Sequence, residues 1–304
     1  MAHGFKQLLP WWVRVPAKIG LSRLPLPYSF WKSLGLFEHG DMNQPQRAFD
    51  TLVAHAKAAG VLNTAGASMG FTKTSEGFAV LELGPGDSLF SAVIAKALGA
   101  TQTWLVDAGP FATNDMAAYR GLLDFLVQKG LPVPATHTLT TRDALLAHCG
   151  GTYLTSGVQA LAQLPKASVD FCFSNAVLEH IPKNDFTSLT QELKRVLKPG
   201  GVCLHRVDLK DHLGGGLNNL RFSETTWEGA LFREAGFYTN RIRFGQMVIM
   251  FEQAGLACSL PRVVRWGSLP TPRSKLSPAF QALPDEDLLV SGFDAVLTHK
   301  VAVG

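Results

Sequence analysis

The stretch Val80-Leu81-Glu82-Leu83-Gly84-Pro85-Gly86-Asp87-Ser88 decides the fold. The apolar residues 78–83 predict a buried strand, and a helix is predicted over residues 88–98 directly after the two glycines. Glycine lets the chain turn sharply and lets a ligand approach the backbone closely. A strand, a glycine-rich turn and a helix in this order predict a ligand-binding α/β domain.

Three kinds of ligand use such a turn. A dinucleotide requires a third glycine at position 89, which is Leu89 here, and a phosphate-binding loop requires Gly-Lys-Ser/Thr, which is absent. S-adenosylmethionine carries no phosphate but has an ammonium group, to which Glu82 offers a carboxylate just before the glycines. Asp107 ends the strand predicted at 103–107, where an acid accepts hydrogen bonds from both ribose hydroxyls.

Strand and helix patterns alternate along the chain. Further apolar segments predict strands at 169–174, 202–208, 257–264 and 293–301, and a weaker strand at 136–139 or, alternatively, at 152–155. Helical periodicity predicts helices at 45–59 (with Asn43 as a cap and Pro45 in the first turn), 115–129, 184–197 and 246–254. The alternation implies a parallel sheet with helices on both faces, and the last two strands, with no clear helix between them, indicate an antiparallel edge hairpin.

Four segments resemble class I S-adenosylmethionine-dependent methyltransferases: ELGPG at 82–86, LVD at 105–107, VDFCFSNAVLEHI at 169–181 and LKRVLKPGG at 193–201. The resemblance covers residues 76–304. It implies an α/β fold with a Rossmann-like class I methyltransferase sheet, mostly parallel, with seven strands and an antiparallel edge hairpin. S-adenosyl-L-methionine is the cofactor that it implies.

The resemblance also implies which residues bind the cofactor. In such enzymes the glycine loop contacts the methionine moiety, the acid after the second strand holds the ribose, and a residue after the third strand contacts adenine. The segment after the fourth strand lines the methyl-transfer site. Carried onto this sequence, the cofactor-binding residues are Glu82, Gly84, Pro85, Gly86, Asp107, Ala108, Gly157, Asn175 and Ala176.

The densest polar cluster, residues 205–212, follows a predicted strand at the edge where open α/β sheets bind ligands. A hydroxyl acceptor requires proton removal, so a general base is expected there. The catalytic candidates are Asp208, Asp211, His212 and His180. The alternative is that both aspartates cap loop backbone and that His212 is merely exposed. No metal is predicted, because nothing else in the cluster supplies the further oxygen ligands that a hard cation requires.

Residues 210–244 break the alternation and predict an insertion. Three glycines at 214–216 indicate a hinge, since no strand precedes them and no lysine follows. Aromatic and guanidinium groups on such a segment are typical of a lid that recognises a polar or anionic substrate. The predicted substrate contacts are Arg221, Tyr238 and Arg241, and the alternative is a helical elaboration packed on the sheet.

Residues 1–75 are predicted to form an N-terminal helical cap over the cofactor cleft. Residues 1–37 contain five basic residues, no acidic residue and many aromatic side chains, of which Tyr28 and Trp31 are predicted substrate contacts. Such a cap excludes water from the cleft. The alternatives are a dimer contact and a weak association with an anionic membrane surface, which the prolines in this segment oppose.

Composition excludes several classes of protein. The chain has 304 residues, of which 46% are hydrophobic and 17% charged, so disordered and low-complexity classes are excluded. No apolar run reaches the roughly 18 residues of a membrane span, and the first residues do not form a signal peptide, which predicts a cytoplasmic protein. Residues 38–304 carry no basic excess, so no nucleic-acid partner is expected. Four scattered cysteines predict reduced, mostly buried thiols.

The sequence therefore predicts S-adenosylmethionine-dependent transfer of a methyl group to a small-molecule acceptor. One alternative is a non-methylating enzyme that uses the same cofactor, for example an intramolecular cyclisation that releases methylthioadenosine. The other is a non-catalytic module that senses the cofactor. The acceptor atom, which is O, N, C or S, and the oligomeric state stay open at this point.

Overall fold

The computed structural model describes residues 12, 15, 16, 19, 20, 42–63, 69–72, 77–134 and 140–300. A seven-stranded sheet lies at its centre, with the strand order β5-β4-β3-β6-β7-β9-β8. Its strands are β3 (Ala79–Leu83), β4 (Gln102–Val106), β5 (Gly151–Leu154), β6 (Val169–Asn175), β7 (Leu197–Asp208), β8 (Leu256–Arg265) and β9 (Val290–His299). A two-stranded antiparallel sheet precedes them, formed by β1 (Leu62–Asn63) and β2 (Gly70–Phe71).

The pairing confirms the predicted sheet. Strands β5, β4, β3, β6 and β7 are all parallel, whereas β9 lies antiparallel between β7 and β8. The carboxyl ends of the parallel strands therefore meet at one edge, which is where the predicted site residues lie.

Helices cover both faces of the sheet. The longer ones are α1 (Pro45–Ala58), α2 (Phe90–Ala97), α3 (Met116–Gln128), α4 (Arg142–His148), α5 (Lys183–Val196) and α8 (Phe244–Gln253). One-turn helices are α6 (Glu224–Trp227), α7 (Ala230–Arg233), α9 (Pro278–Gln281) and α10 (Asp285–Leu288). Short 3-10 segments follow β5 (Gly157–Gln163) and β6 (Leu178–His180), and two more are Asn218–Arg221 and Arg273–Lys275. None of the helices in the described part of the chain has the length and apolar character that crossing a bilayer requires.

Strand alternation divides the core into two clusters, one on each face of the sheet. On β6, Phe171 and Phe173 belong to the cluster that contains α1 and α2. Cys172 belongs to the cluster on the opposite face, with α5 and α8. Both faces of the central strands are buried, which is why these strands read as continuous apolar runs in the sequence.

Helix α1 belongs to the core of the main domain. Its side chains Phe49, Leu52 and Val53 are buried in the same cluster as the sheet, so the boundary predicted at residue 75 does not separate two cores. Pro45 begins this helix as predicted, but Gln44 occupies the N-cap position without a side-chain hydrogen bond, so the prediction of Asn43 as the cap was wrong.

Two further expectations change. The strand predicted at 136–139 falls outside the described residues, and the alternative at 152–155 corresponds to β5. The segment between β8 and β9 contains two one-turn helices, although no helix was expected there. Helices of four residues are too short to produce a helical periodicity in the sequence. All four cysteines are free thiols, and only Cys258 is partly exposed.

Candidate functional site

The glycine-rich turn is packed against the segment that follows β6. Gly84 has a φ of +66°, and a Cβ atom at this position would lie 2.5 Å from Cγ2 of Val177. Its amide donates a hydrogen bond to the carbonyl of Val106, at the end of β4. Any side chain at position 84 would therefore have to displace Val177, so the close packing of these two segments requires glycine here.

Asp107 connects the glycine turn to the segment after β5. Its Oδ2 accepts a hydrogen bond of 2.9 Å from the amide of Gly86, and its Oδ1 accepts one of 2.7 Å from Ala108. Its carbonyl accepts a third, of 2.8 Å, from the amide of Gly157. Four of the predicted cofactor residues are therefore brought together, although they come from three separate parts of the sequence.

Glu82 is buried directly beneath the turn. Ser91, on α2, donates a short hydrogen bond to its Oε2. Burial raises the pKa of the Glu82 carboxyl to about 8, because desolvation disfavours the charged form. No cationic side chain pairs with Glu82 in the described part of the chain, so its carboxyl could accept an ammonium group such as that of S-adenosylmethionine.

We expect S-adenosylmethionine binding at pH 7 to release about one proton from Glu82, because the ammonium favours the ionised carboxylate over the protonated one. Binding should therefore strengthen as the pH rises toward 8, the pKa of Glu82 before the ligand binds. Calorimetry in two buffers of different ionisation enthalpy measures this proton release. Equal release by the wild type and Glu82→Gln would contradict the assignment.

Asp107→Ala should weaken S-adenosylmethionine binding by about 1.5 to 3 kcal/mol, or roughly 10- to 150-fold, because a charge-assisted hydrogen bond is lost. The glycine turn also loses the acceptor of the Gly86 amide. Titration calorimetry measures the affinity, and Asp124→Ala, on an exposed face of α3, is the matched control. Unchanged affinity of Asp107→Ala would remove this residue from the ribose role.

The backbone is strained where β6 ends. Asn175 is half-buried, and Ala176, which follows it, has a φ of +56°, a conformation that alanine rarely adopts. The amide of Ala176 donates to the carbonyl of Arg206 on β7, which holds this conformation in place. Strained residues of this kind cluster at functional sites.

His180 and His212 lie side by side at this edge. Their ring centroids are 4.8 Å apart and their planes meet at 61°, an edge-to-face arrangement. Nδ1 of His180 lies 3.0 Å from the carbonyl oxygen of Tyr238, in the insertion. Two of the four catalytic candidates are therefore in contact, and a third predicted residue orients one of them through its backbone.

The two aspartates have other partners. Oδ1 of Asp208 accepts from the amide of Lys210, and its Oδ2 lies 3.3 Å from Lys210 Nζ. Asp211 is buried, and its carboxylate accepts hydrogen bonds from the amides of Leu213, Gly214, Gly215 and Asn218 and from the side chain of Asn218. Both aspartates therefore bind the backbone of the loop after β7, as the loop-capping alternative predicts.

The insertion is a packed element with its own aromatic cluster. Trp227, Phe237 and Tyr238 form this cluster together with Val15, from the N-terminal segment. Such packing corresponds to the alternative of a helical elaboration more closely than to a loosely hinged lid.

The predicted substrate contacts of the insertion bind its own atoms. Arg241, whose side chain is 1% exposed, lies 2.5 Å from Glu224 and stacks over Trp227. The hydroxyl of Tyr238 donates to Glu228, and Nε of Arg221 donates to the Asn218 side chain. The sequence pattern was therefore misleading for Arg241, which is occupied inside the protein. Tyr28 and Trp31 lie outside the described residues.

Two contacts of the site were not predicted. Ser91 is a buried hydroxyl in the first turn of α2, among apolar neighbours, and such a position indicates a polar partner nearby. Val177 closes the turn at Gly84, and nothing in the sequence marks it.

One family model matches part of the chain. Residues 133–205 match the family model described as a methyltransferase domain. No curated protein matches the chain.

Similar solved structures include three methyltransferases. One is an S-adenosylmethionine-dependent methyltransferase from Mesorhizobium loti, with 17% identity over 73% of this chain and 90% of that chain and a TM-score of 0.40. The enzyme from Aquifex aeolicus has 15% identity over 90% of this chain and 98% of that chain, with a TM-score of 0.39. A putative methyltransferase from Haloferax volcanii, in complex with the Trm112 activator, has 16% identity over 88% of this chain and all of that chain, with a TM-score of 0.40.

Residues 133–205 match a methyltransferase domain, and the seven-stranded sheet with its glycine turn has the arrangement expected of class I S-adenosylmethionine-dependent methyltransferases. The family-model match lies within this domain, from the segment before α4 to β7. S-adenosylmethionine is its cofactor, and the bare turn at Gly84 and the buried carboxyl of Glu82 fit that molecule.

Proposed function

We propose that this protein transfers the methyl group of S-adenosylmethionine to a small-molecule acceptor whose nucleophilic atom carries a proton, with His180 as the general base. The cofactor supplies an activated methyl group on a sulfonium. The observation that carries the proposal is the hydrogen bond between Nδ1 of His180 and the carbonyl of Tyr238.

This hydrogen bond selects the tautomer of His180. A carbonyl oxygen only accepts hydrogen bonds, so Nδ1 carries the proton. In the neutral ring the lone pair is then on Nε2. This is the nitrogen that would take the proton from the substrate that receives the methyl group. His180 is exposed, whereas its partner carbonyl belongs to the buried Tyr238, so the ring is oriented by the fold and remains accessible from the edge of the sheet.

His212 supports the orientation of this base. Its ring packs edge-on against that of His180, which limits the rotation of both rings. The pair follows the carboxyl ends of β6 and β7, the strands that carry Asn175 and the polar cluster at 205–212. Alignment of the acceptor with the methyl group is the main source of acceleration in such a displacement, and fixed rings serve it.

Two features support a small acceptor. Val15 and the half-buried Ile19 pack against the aromatic cluster of the insertion. Part of the N-terminal segment therefore contacts the insertion, whose Tyr238 carbonyl orients His180. Contact between these two segments favours an enclosed acceptor site over an open surface for a macromolecule. Residues 38–304 also lack the basic excess with which proteins bind nucleic acids.

The test is a titration with S-adenosylmethionine followed by a screen of hydroxyl, thiol and amine acceptors, with products identified by mass spectrometry. We expect S-adenosylhomocysteine to form only when an acceptor is present. If methylthioadenosine forms without an acceptor, the activity is cyclisation of the cofactor and not methyl transfer. Binding without any turnover across the screen would favour a cofactor sensor.

A further inference from the structure

Two cysteines and a histidine meet in the core, on the face of the sheet opposite α1. Cys172 of β6 is the direct neighbour of Cys203 on β7, and Ser174 is the neighbour of His205. Because residues two apart on a strand share a face, all four side chains point to the same side. The sulfur atoms of Cys172 and Cys203 and a ring nitrogen of His205 all lie within 4.8 Å of one another.

These distances are close to those of a metal site. Ligands bound to one zinc ion at about 2.3 Å for sulfur and 2.0 Å for nitrogen lie roughly 3.5 to 3.8 Å from each other. The observed separations therefore need to shrink by about 1.3 Å at most, a distance on the scale of side-chain rotation. Thiolate and imidazole ligands select thiophilic ions such as Zn²⁺ and Cu⁺.

His205 is buried, and only one of its two ring nitrogens has a hydrogen-bond partner among the described residues. Its side chain is 0% exposed, its Nδ1 lies 2.8 Å from Ser174 Oγ, and its Nε2 has no hydrogen-bond partner among the described residues. A buried polar atom without a partner costs about 1 to 3 kcal/mol. If Nδ1 donates to Ser174, the lone pair of the ring is on Nε2, and Ser174 acts as the outer partner that orients a metal-binding imidazole.

The electrostatic balance also favours a bound cation. Cys172 and Cys203 are fully buried among apolar side chains, where an isolated charge is costly. Two thiolates compensate the charge of Zn²⁺, and one thiolate beside a thiol that keeps its proton compensates the charge of Cu⁺, so either complex with a neutral imidazole has no net charge.

We propose that Cys172, Cys203 and His205 bind one thiophilic metal ion, Zn²⁺ or Cu⁺, that joins β6 to β7. The site lies in the sheet below Asn175 and is separate from the methyl-transfer chemistry, so it does not rest on the proposed function. Its ligands come from two neighbouring strands without a Cys-x-x-Cys pair, which is why the cysteine spacing in the sequence predicted no metal.

Metal analysis tests the proposal directly. The full-length protein is produced in medium supplemented with either Zn²⁺ or Cu⁺, purified without chelators, and analysed by mass spectrometry of the elements. We expect about one ion per chain with one of the two metals. Cys203→Ala should lose at least nine-tenths of it, whereas Cys149→Ala, at a buried free thiol outside the cluster, should retain it.

A measurement on the wild-type protein avoids variants that fail to fold. Removing the metal with a chelator should lower Tm by about 5 °C, and returning the same ion should restore it. Absence of metal with no Tm change on adding Zn²⁺ or Cu⁺ would overturn the proposal. So would retention of the metal by Cys203→Ala, or a Cys172–Cys203 disulfide found by peptide mapping of the protein as purified.

Discussion

His180→Gln should lower the turnover of methyl transfer by about 100-fold or more, the scale of a lost general base. Glutamine keeps a polar group near the Tyr238 carbonyl, but it has no nitrogen that accepts a proton at neutral pH. S-adenosylmethionine affinity should stay nearly unchanged, because Glu82 lies on β3 and Asp107 directly after β4, whereas His180 follows β6. Initial rates with an acceptor from the screen, together with cofactor titration, measure both quantities.

The pH–rate profile separates a base from a merely structural residue. In the wild type the rate should rise with pH on the acidic side, because an imidazolium cannot accept a proton. With S-adenosylmethionine saturating, so that the titration of Glu82 does not affect the rate, His180→Gln should lack this limb at its lower rate. His148→Gln, at an exposed histidine of α4, should keep the full rate and profile. A wild-type rate in His180→Gln would mean that the acceptor is methylated without this base.

Arg243→Met should lower the free energy of unfolding by about 3 kcal/mol, because buried carbonyl groups lose their donor. The Arg243 guanidinium is 3% exposed, and it donates to the carbonyls of Leu209, Asp287, Leu288 and Val290. Burial lowers its pKa to about 10, so it is charged at neutral pH. Methionine fills most of the volume but leaves four carbonyls without this partner.

Urea unfolding measures this change, and the chain offers a matched control. Arg262 has a side chain that is 54% exposed and lies 3.5 Å from Asp294, so Arg262→Met should cost less than about 1 kcal/mol. Arg243→Lys should fall between the two, because one ammonium cannot reach all four carbonyls. Equal stability of Arg243→Met and Arg262→Met would show that the carbonyl cluster does not need the guanidinium.

Much of the sheet could be predicted because its signals are local. The strand, turn and helix around Gly84 follow one another without interruption, and Asp107 ends the next strand, so their proximity follows from a parallel sheet alone. The resemblance to a family implied the number of strands and the antiparallel edge hairpin, and their order came from the structure. The weakest strand was identified only as one of two alternatives, and the short helices between β8 and β9 left no pattern.

The roles of individual polar residues required the three-dimensional arrangement. In the sequence, Arg241 and Asp211 look as available as His180. In the structure, Arg241 forms an ion pair inside the insertion, and Asp211 binds the backbone of the glycines at 214–215. His180 is exposed and lies beside His212. Which groups a polar side chain contacts depends on the distant segments that pack against it.

The cysteine and histidine cluster illustrates the same limit. Cys172 and Cys203 are ordinary apolar-strand residues in the sequence, and only the register of β6 against β7 makes them direct neighbours of each other. Local order along the chain therefore accounts for the fold and for the glycine turn with Glu82, because the interacting residues are close in sequence. The pairing of distant strands accounts for the histidine pair, the carbonyl cluster at Arg243 and the thiol cluster, because each joins side chains that approach one another only when the sheet forms.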